Sequence, residues 1–249
     1  LAGESLCWGM TSLVVVVLSV VFFVKEVVPQ YSKEMALVVP QSWANKFDQL
    51  LIENLDAKSF SPSNLSDERT GKLTNFLHQH SDPTIRILFR KFGKPNAFAL
   101  AGNTVIFSDE FINLMDMDEE ILAVYFHELA HLEQRHLLSS VISASSVAVL
   151  SFFIVGDMAG ATESLYNLGA VLINAKYSRS FEAEADQIAY QKLEKLGLSK
   201  ACFSQALQKV TKNRKKVHSA AMEALSYLSS HPLTEERVAA GNGEPCKSL

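Results

Sequence analysis

The chain has 249 residues, 48% of them hydrophobic and 20% charged, with a formal net charge of −4. A chain of that length can bury a sizeable core, and without a basic excess to neutralise phosphates it is not expected to bind nucleic acid. Its three cysteines, Cys7, Cys202 and Cys246, show no metal-ligand spacing, so a cysteine zinc site is not expected; a Cys202–Cys246 disulfide requires an oxidising compartment, which sequence does not decide.

From Leu6 to Val24 the chain reads LCWGMTSLVVVVLSVVFFV, with no charge before Lys25. About 19 residues rising about 1.5 Å each match the roughly 30 Å hydrocarbon core of a bilayer. A cleaved signal peptide has a shorter apolar region and a small-residue cleavage site, whereas KEVVPQYSKEM follows here. The expectation is a single-pass membrane segment over 1–28 ahead of one domain over 29–249. Lys25 and Lys33 on one side and Glu4 on the other do not fix its orientation. The first residue is Leu rather than Met, as in a piece of a longer chain.

Trp43, Phe47, Leu50 and Leu51 recur at helical spacing after Ser42, predicting a helix. SFSPSNLSDE is loop chemistry, and Ser66 is placed to cap the next helix. In TIRILFR, Ile85, Ile87 and Phe89 alternate with Arg86, Leu88 and Arg90, the pattern of a half-buried strand. NAFALAGNTVIFSDEF gives two short strands, 97–100 and 104–107, turned by Ala101-Gly102-Asn103, because glycine and asparagine tolerate the positive φ of a tight hairpin. Ser108 or Asp109 caps a short helix. Asp118, Glu119 and Glu120 start a longer one, where their charge complements the helix dipole. The serine-rich apolar stretch over 137–155 has spanning length and is followed by another mostly apolar segment. The pair fits either a membrane hairpin or buried helices covering a cleft, and its serines favour the second. Further helices are predicted over 180–196, 199–213, 218–230 and 233–240. The fold class is mainly α with a small antiparallel β-sheet (α+β).

The long helix carries AVYFHELAHLEQRH at 123–136. Residues four apart share a helix face, so His127 and His131 can reach one metal ion. Glu128 projects beside them, where it can take a proton from a metal-activated water. Val124, Tyr125, Phe126, Leu129, Ala130 and Leu132 surround this trio, which makes a helix buried on most of its circumference. Burying those polar groups is costly unless something satisfies them. A further ligand is expected among the carboxylates of YSRSFEAEADQIAYQKL, where Glu182, Glu184 and Asp186 fall within an apolar helical pattern. Glu182 and Asp186 share a face, so one can bind metal while the other accepts a proton from a ligand histidine.

HELAHLEQRH, then YSRSFEAEAD, then SSHPLTEER in that order resemble the HtpX- and BepA-like zinc metallopeptidases, family forty-eight of the metallopeptidases, a gluzincin group that includes the CAAX-protein and Oma proteases. The resemblance runs roughly from Val39 to Ala240. It implies a zincin-like domain with one Zn2+ per chain, held by His127, His131 and Glu182. Glu128 matches the catalytic glutamate and Asp186 the aspartate supporting a ligand histidine. His231 matches a histidine near the metal that assists the reaction or caps the metal, and Arg237 an arginine of the same motif. His136, five residues past His131 and off the metal-facing line, is assigned a structural role.

The expected function is a membrane-anchored zinc metalloendopeptidase that hydrolyses peptide bonds with a metal-activated water, in quality control of membrane or envelope proteins. The expected setting is the bacterial inner membrane, with the catalytic domain facing the periplasm. Its partners are protein or peptide substrates, added as an extended strand along Asn96, Ala97, Phe98 and Ala99, with His231 or Arg237 stabilising the oxyanion. One alternative is a metal-containing, chaperone-like protein that binds clients without cutting them; another is a metal-free helical interaction module. Oligomeric state is left open.

Overall fold

The computed structural model describes residues 2–144, 177–216, 231, 237 and 245–249. The chain divides into two compact units. The larger comprises Pro40–Leu137 and the chain from Gly169 onward; the smaller begins with Leu1–Val39 and resumes at Leu138. The second apolar stretch beyond Ala144 and the helices expected over 218–230 and 233–240, apart from His231 and Arg237, lie outside the described residues.

In the smaller unit α1 (Ala2–Phe22) passes through a π turn, Phe23–Val27, into α2 (Val28–Leu37). Trp8, Met10, Val14–Leu18 and Phe22 are exposed along α1. The segment expected to be helical is helical, but among the described residues no helix is long and apolar enough to cross a membrane. Gly9, Thr11 and Ser12 interrupt the apolar run of α1, and the Ser12 hydroxyl donates back to the Trp8 carbonyl at 2.8 Å.

The larger unit opens with α3 (Gln41–Lys58) and α4 (Asp67–Gln79). Ser66 caps α4 as expected, its hydroxyl accepting from the Arg69 N–H at 3.2 Å. Four strands, β1 (Ser61–Pro62), β2 (Arg86–Lys91), β3 (Ala97–Ala99) and β4 (Thr104–Ser108), form one sheet in the order β1-β2-β4-β3. The β3–β4 hairpin is antiparallel, and Asn103 takes the positive φ, 66°. The sheet itself is mixed, which corrects the all-antiparallel expectation: β4 runs parallel to β2, from Arg86↔Thr104 to Arg90↔Ser108. The chain leaving β2 passes to the outer edge as β3, and the hairpin folds β4 back between them. TVIFS is accordingly buried at every residue, the signature of a strand with neighbours on both sides and cover on both faces.

Short α5 (Asp109–Ile112) follows, capped by Ser108, whose hydroxyl accepts from the Phe111 N–H at 3.0 Å. Next, α6 (Asp118–Glu133) is buried at every residue from Glu119 to Leu132. It packs on β3 and β4 on one side, and on α7 (Arg179–Lys195) and α8 (Ala201–Lys216) on the others. Phe107, Phe111 and Tyr125, among the largest fully buried side chains, pack together between sheet and helix. A Cys202–Cys246 disulfide ties α8 to the C-terminal segment.

The β3–β4 turn is seated directly on α3. A Cβ on Gly102 would lie 2.6 Å from the Ala44 carbonyl oxygen and from the Asn45 nitrogen, so backbone meets backbone there. Asp48 lies beneath the same turn; burial pushes its carboxyl up to about 6, against the opposing pull of the Gly102 and Ala101 amides, Thr104 and Arg86. Gly102→Ala is expected to lower stability by about 1–3 kcal/mol through overpacking, seen as a lower urea midpoint at unchanged slope. An unaltered midpoint would show that the turn is not seated on α3.

Candidate metal centre

Helix α6 places His127 and His131 one turn apart and fully buried, with their Nε2 atoms 3.0 Å from each other. Helix α7 enters beside them. Ser178 caps it, its hydroxyl accepting from the Phe181 N–H at 3.2 Å, and so sets Glu182 in the first turn. The two Glu182 oxygens lie 3.4 Å from His131 Nε2 and 3.7 Å from His127 Nε2. His231 closes the group, with Nδ1 3.2 Å from His127 Nε2 and 3.0 Å from Glu182 Oε1. One donor atom from each of these four residues lies within 4.8 Å of all the others. With bonds of about 2.0–2.1 Å in a tetrahedral site, neighbouring donors stand about 3.3 Å apart. The four buried donors therefore fit one small divalent cation.

Glu128 stands at the rim of this group. Its Oε2 accepts from the Ala99 N–H of β3 at 3.0 Å. Its Oε1 has no hydrogen-bond partner among the described residues and lies 3.5 Å from His231 Nε2. Buried acceptors are normally satisfied, so this oxygen faces a place for a ligand or water. Burial pushes the Glu128 carboxyl up, against the pull of His231 and His127. Burial pushes the His131 imidazole well below its usual range, which keeps it in the neutral form that metal binding requires.

A layer of charge lies behind the donors. Asp186, one turn after Glu182, sets Oδ1 2.9 Å from His127 Nδ1. Arg237 spans both carboxylates: Nε donates to Asp186 Oδ2 at 2.6 Å, Nη2 to Asp186 Oδ1 at 2.9 Å, and Nη1 lies 2.8 Å from Glu182 Oε2. Burial alone would raise both carboxyls. His231, His131 and His127 instead hold Glu182 well below the carboxylate range, and His127 and Arg237 lower the Asp186 carboxyl.

The seven side chains assigned to the site, His127, Glu128, His131, Glu182, Asp186, His231 and Arg237, thus converge on one place, and the Asn96–Ala99 segment lies against it through the Ala99 amide. The order β1-β2-β4-β3 leaves β3 at the sheet edge. Leu100 N–H donates to Thr104 and Ser108 N–H to Asn96 across the hairpin, so the backbone of Ala97 and Ala99 points the other way, out of the sheet. Sequence reasoning missed Tyr177, which stacks on His131 with ring centroids 4.1 Å apart, and Phe203, which stacks on His127 at 5.1 Å. No spacing rule marks either one. Placing His136 away from the metal line assumes that α6 continues. Instead α6 is capped at Gln134, Arg135 takes φ +54°, and His136 folds back with Nδ1 2.9 Å from His131 Nδ1.

A paired-histidine helix, a carboxylate donor from a second helix and an acceptor held at their rim define the layout of a metallohydrolase site. Residues 67–243 match the model of Peptidase family M48, and the chain belongs to that family. It is 32% identical to the metalloprotease LoiP of Escherichia coli over 148 residues, covering 57% of this chain and 55% of LoiP. It is 27% identical to the beta-barrel assembly-enhancing protease of Yersinia pestis, covering 57% of this chain and 31% of that protein. It is 29% identical to a protease HtpX homolog of Desulfatibacillum aliphaticivorans, over 58% of each. The chain thus spans between about a third and somewhat over half of these relatives.

Removing the cation between two buried carboxylates is costly. In metal-stripped protein, Arg237→Met is expected to lower unfolding free energy by about 3–5 kcal/mol, with part recovered on adding zinc; a loss under about 1 kcal/mol would show that Glu182 and Asp186 do not depend on Arg237.

Proposed function

We propose that the protein is a zinc metalloendopeptidase acting in quality control of membrane or envelope proteins. The observation that carries this reading is Glu128 Oε1, without a hydrogen-bond partner among the described residues, at the rim of four buried donors. Membership of the peptidase family supports it, as do relatives named metalloprotease and assembly-enhancing protease. His127, His131 and Glu182 are assigned as the ligands of one Zn2+, two nitrogens and a carboxylate being a donor set that suits it. Bound there, zinc would polarise a scissile carbonyl and lower the pKa of a water.

Glu128 Oε1 takes the proton of the attacking water and returns it to the departing amine nitrogen. The Ala99 N–H fixes the carboxylate's orientation through Oε2, so Oε1 alone is available for that transfer. His231 is close enough to Glu128 and to the donors either to fill a fourth ligand position or to hydrogen-bond the developing oxyanion. Arg237 was expected beside the oxyanion; with its nitrogens directed at Glu182 and Asp186, we assign it to bracing the carboxylates. The outward backbone of Ala97 in β3 offers an edge to an extended substrate, a mode insensitive to side chains and suited to misfolded clients. The Cys202–Cys246 disulfide supports an oxidising compartment such as the bacterial periplasm. The membrane-anchored part of the reading rests on the charge-free sequence over 6–24 and on the exposed apolar side chains of α1.

Glu128→Gln is expected to keep one zinc per chain while cleavage of an unfolded envelope protein falls by about 10²–10⁴-fold. A protonated Glu128 cannot accept a proton. The acid limb of kcat/KM should therefore follow Glu128, with activity present above its pKa and lost as pH falls through it. Zinc-loaded wild-type protein that binds such a client and leaves it intact would instead support the client-binding alternative.

A further inference from the structure

Two ligand histidines leave α6, and their outer nitrogens meet different partners. His127 Nδ1 faces Asp186 directly at 2.9 Å. His131 Nδ1 faces a second imidazole, His136 Nδ1, at 2.9 Å, and His136 Nε2 lies 3.2 Å from Glu184 Oε2. His136 is fully buried and its ring stacks on Phe181 with centroids 4.1 Å apart and planes 7° from parallel. Phe181 and Glu184 are three apart on α7 and share one face, while Glu182 and Asp186 share another. A single stretch of α7 therefore serves both histidines, one from each face.

Two facing Nδ1 atoms can share only one proton. A cation held at His131 Nε2 requires the lone pair of that nitrogen, so the proton of His131 must sit on Nδ1. From there it is donated to His136 Nδ1, and His136 in turn donates from Nε2 to Glu184. We propose that His136, backed by Glu184, is a positioning residue that fixes the His131 tautomer and so presents Nε2 to the metal. The inference rests on the metal-site reading given above.

The turn that allows this is specific. Arg135 holds the left-handed backbone conformation usually taken by glycine just past a helix C-cap. Without that turn, a continuing α6 would carry His136 about 140° away from His131.

The test measures Zn2+ affinity of the full chain by competition with a chromophoric chelator, alongside the visible absorption of the Co2+ form and far-UV circular dichroism. His136→Phe keeps a stacking ring but no acceptor, and its affinity is expected to fall about 10–100-fold with an altered Co2+ spectrum. His136→Asn, whose amide oxygen stands near the former Nδ1, should recover most of the affinity. Glu184→Gln, at a half-buried position, should weaken binding less and serves as the test should His136→Phe not fold. If His136→Phe, or Glu184→Gln in its place, binds Zn2+ within about twofold of wild type, the proposal is overturned. Equal losses in His136→Phe and His136→Asn would overturn it too, by showing a packing role only. Wild-type protein that binds no Zn2+ would overturn the metal-site reading itself, a distinct result.

Discussion

Three polar side chains, His127, Glu128 and His131, sit on a helix that has no solvent-facing side along their length. That burial is the constraint on which the larger unit is organised. An imidazole or carboxylate removed from water costs several kcal/mol unless it is hydrogen-bonded, paired or ligating. Helix α7 supplies the compensation, with Glu182 and Asp186 on one face, and Arg237 neutralises both carboxylates from behind. The α6–α7 contact is thus polar at its centre and apolar around it, with Tyr177 and Phe203 closing over the imidazole rings. Such a centre is held by mutual need: any one member removed leaves another buried without its counterpart.

The sheet is bound into the same constraint through a single backbone amide. Ala99 donates to Glu128 from the outward side of β3, and the position of β3 depends on the hairpin seat against α3, where only a glycine fits. The mixed topology matters for this reason. With β4 inserted between β2 and β3, the short edge strand lies beside the histidine helix, and its outward backbone, the Ala99 N–H included, faces Glu128. An antiparallel meander would have put β3 between β2 and β4 and left β4 at the edge instead.

The site was legible in the sequence to the extent that its chemistry is local. The four-residue spacing of His127 and His131, the adjacent Glu128 and the i,i+4 pair Glu182/Asp186 follow from helix geometry alone. The helix starts at Ser66 and Asp118, and the Asn103 turn, followed from capping and φ preferences in the same way. What sequence could not show depends on long-range placement. Strand order is one case, since the pattern of TVIFS is equally that of a strand in either orientation. The stacking of Tyr177 and Phe203 is another. The role of His136 was hidden by one residue: Arg135, where a glycine would have signalled a helix end, adopts the glycine conformation without the glycine. The work of Arg237 was hidden because an arginine near a catalytic motif reads equally as an oxyanion donor and as a brace.

The central claim is that side chains of α6 and α7 close on one cation, and the most direct measurement is anomalous diffraction at the zinc absorption edge from crystals of the zinc-loaded chain. The account predicts one peak per chain, about 2.0–2.1 Å from His127 Nε2 and His131 Nε2 and within bonding distance of the Glu182 carboxylate. A peak bound elsewhere on the chain, or zinc-loaded crystals with no density between the two helices, would contradict it.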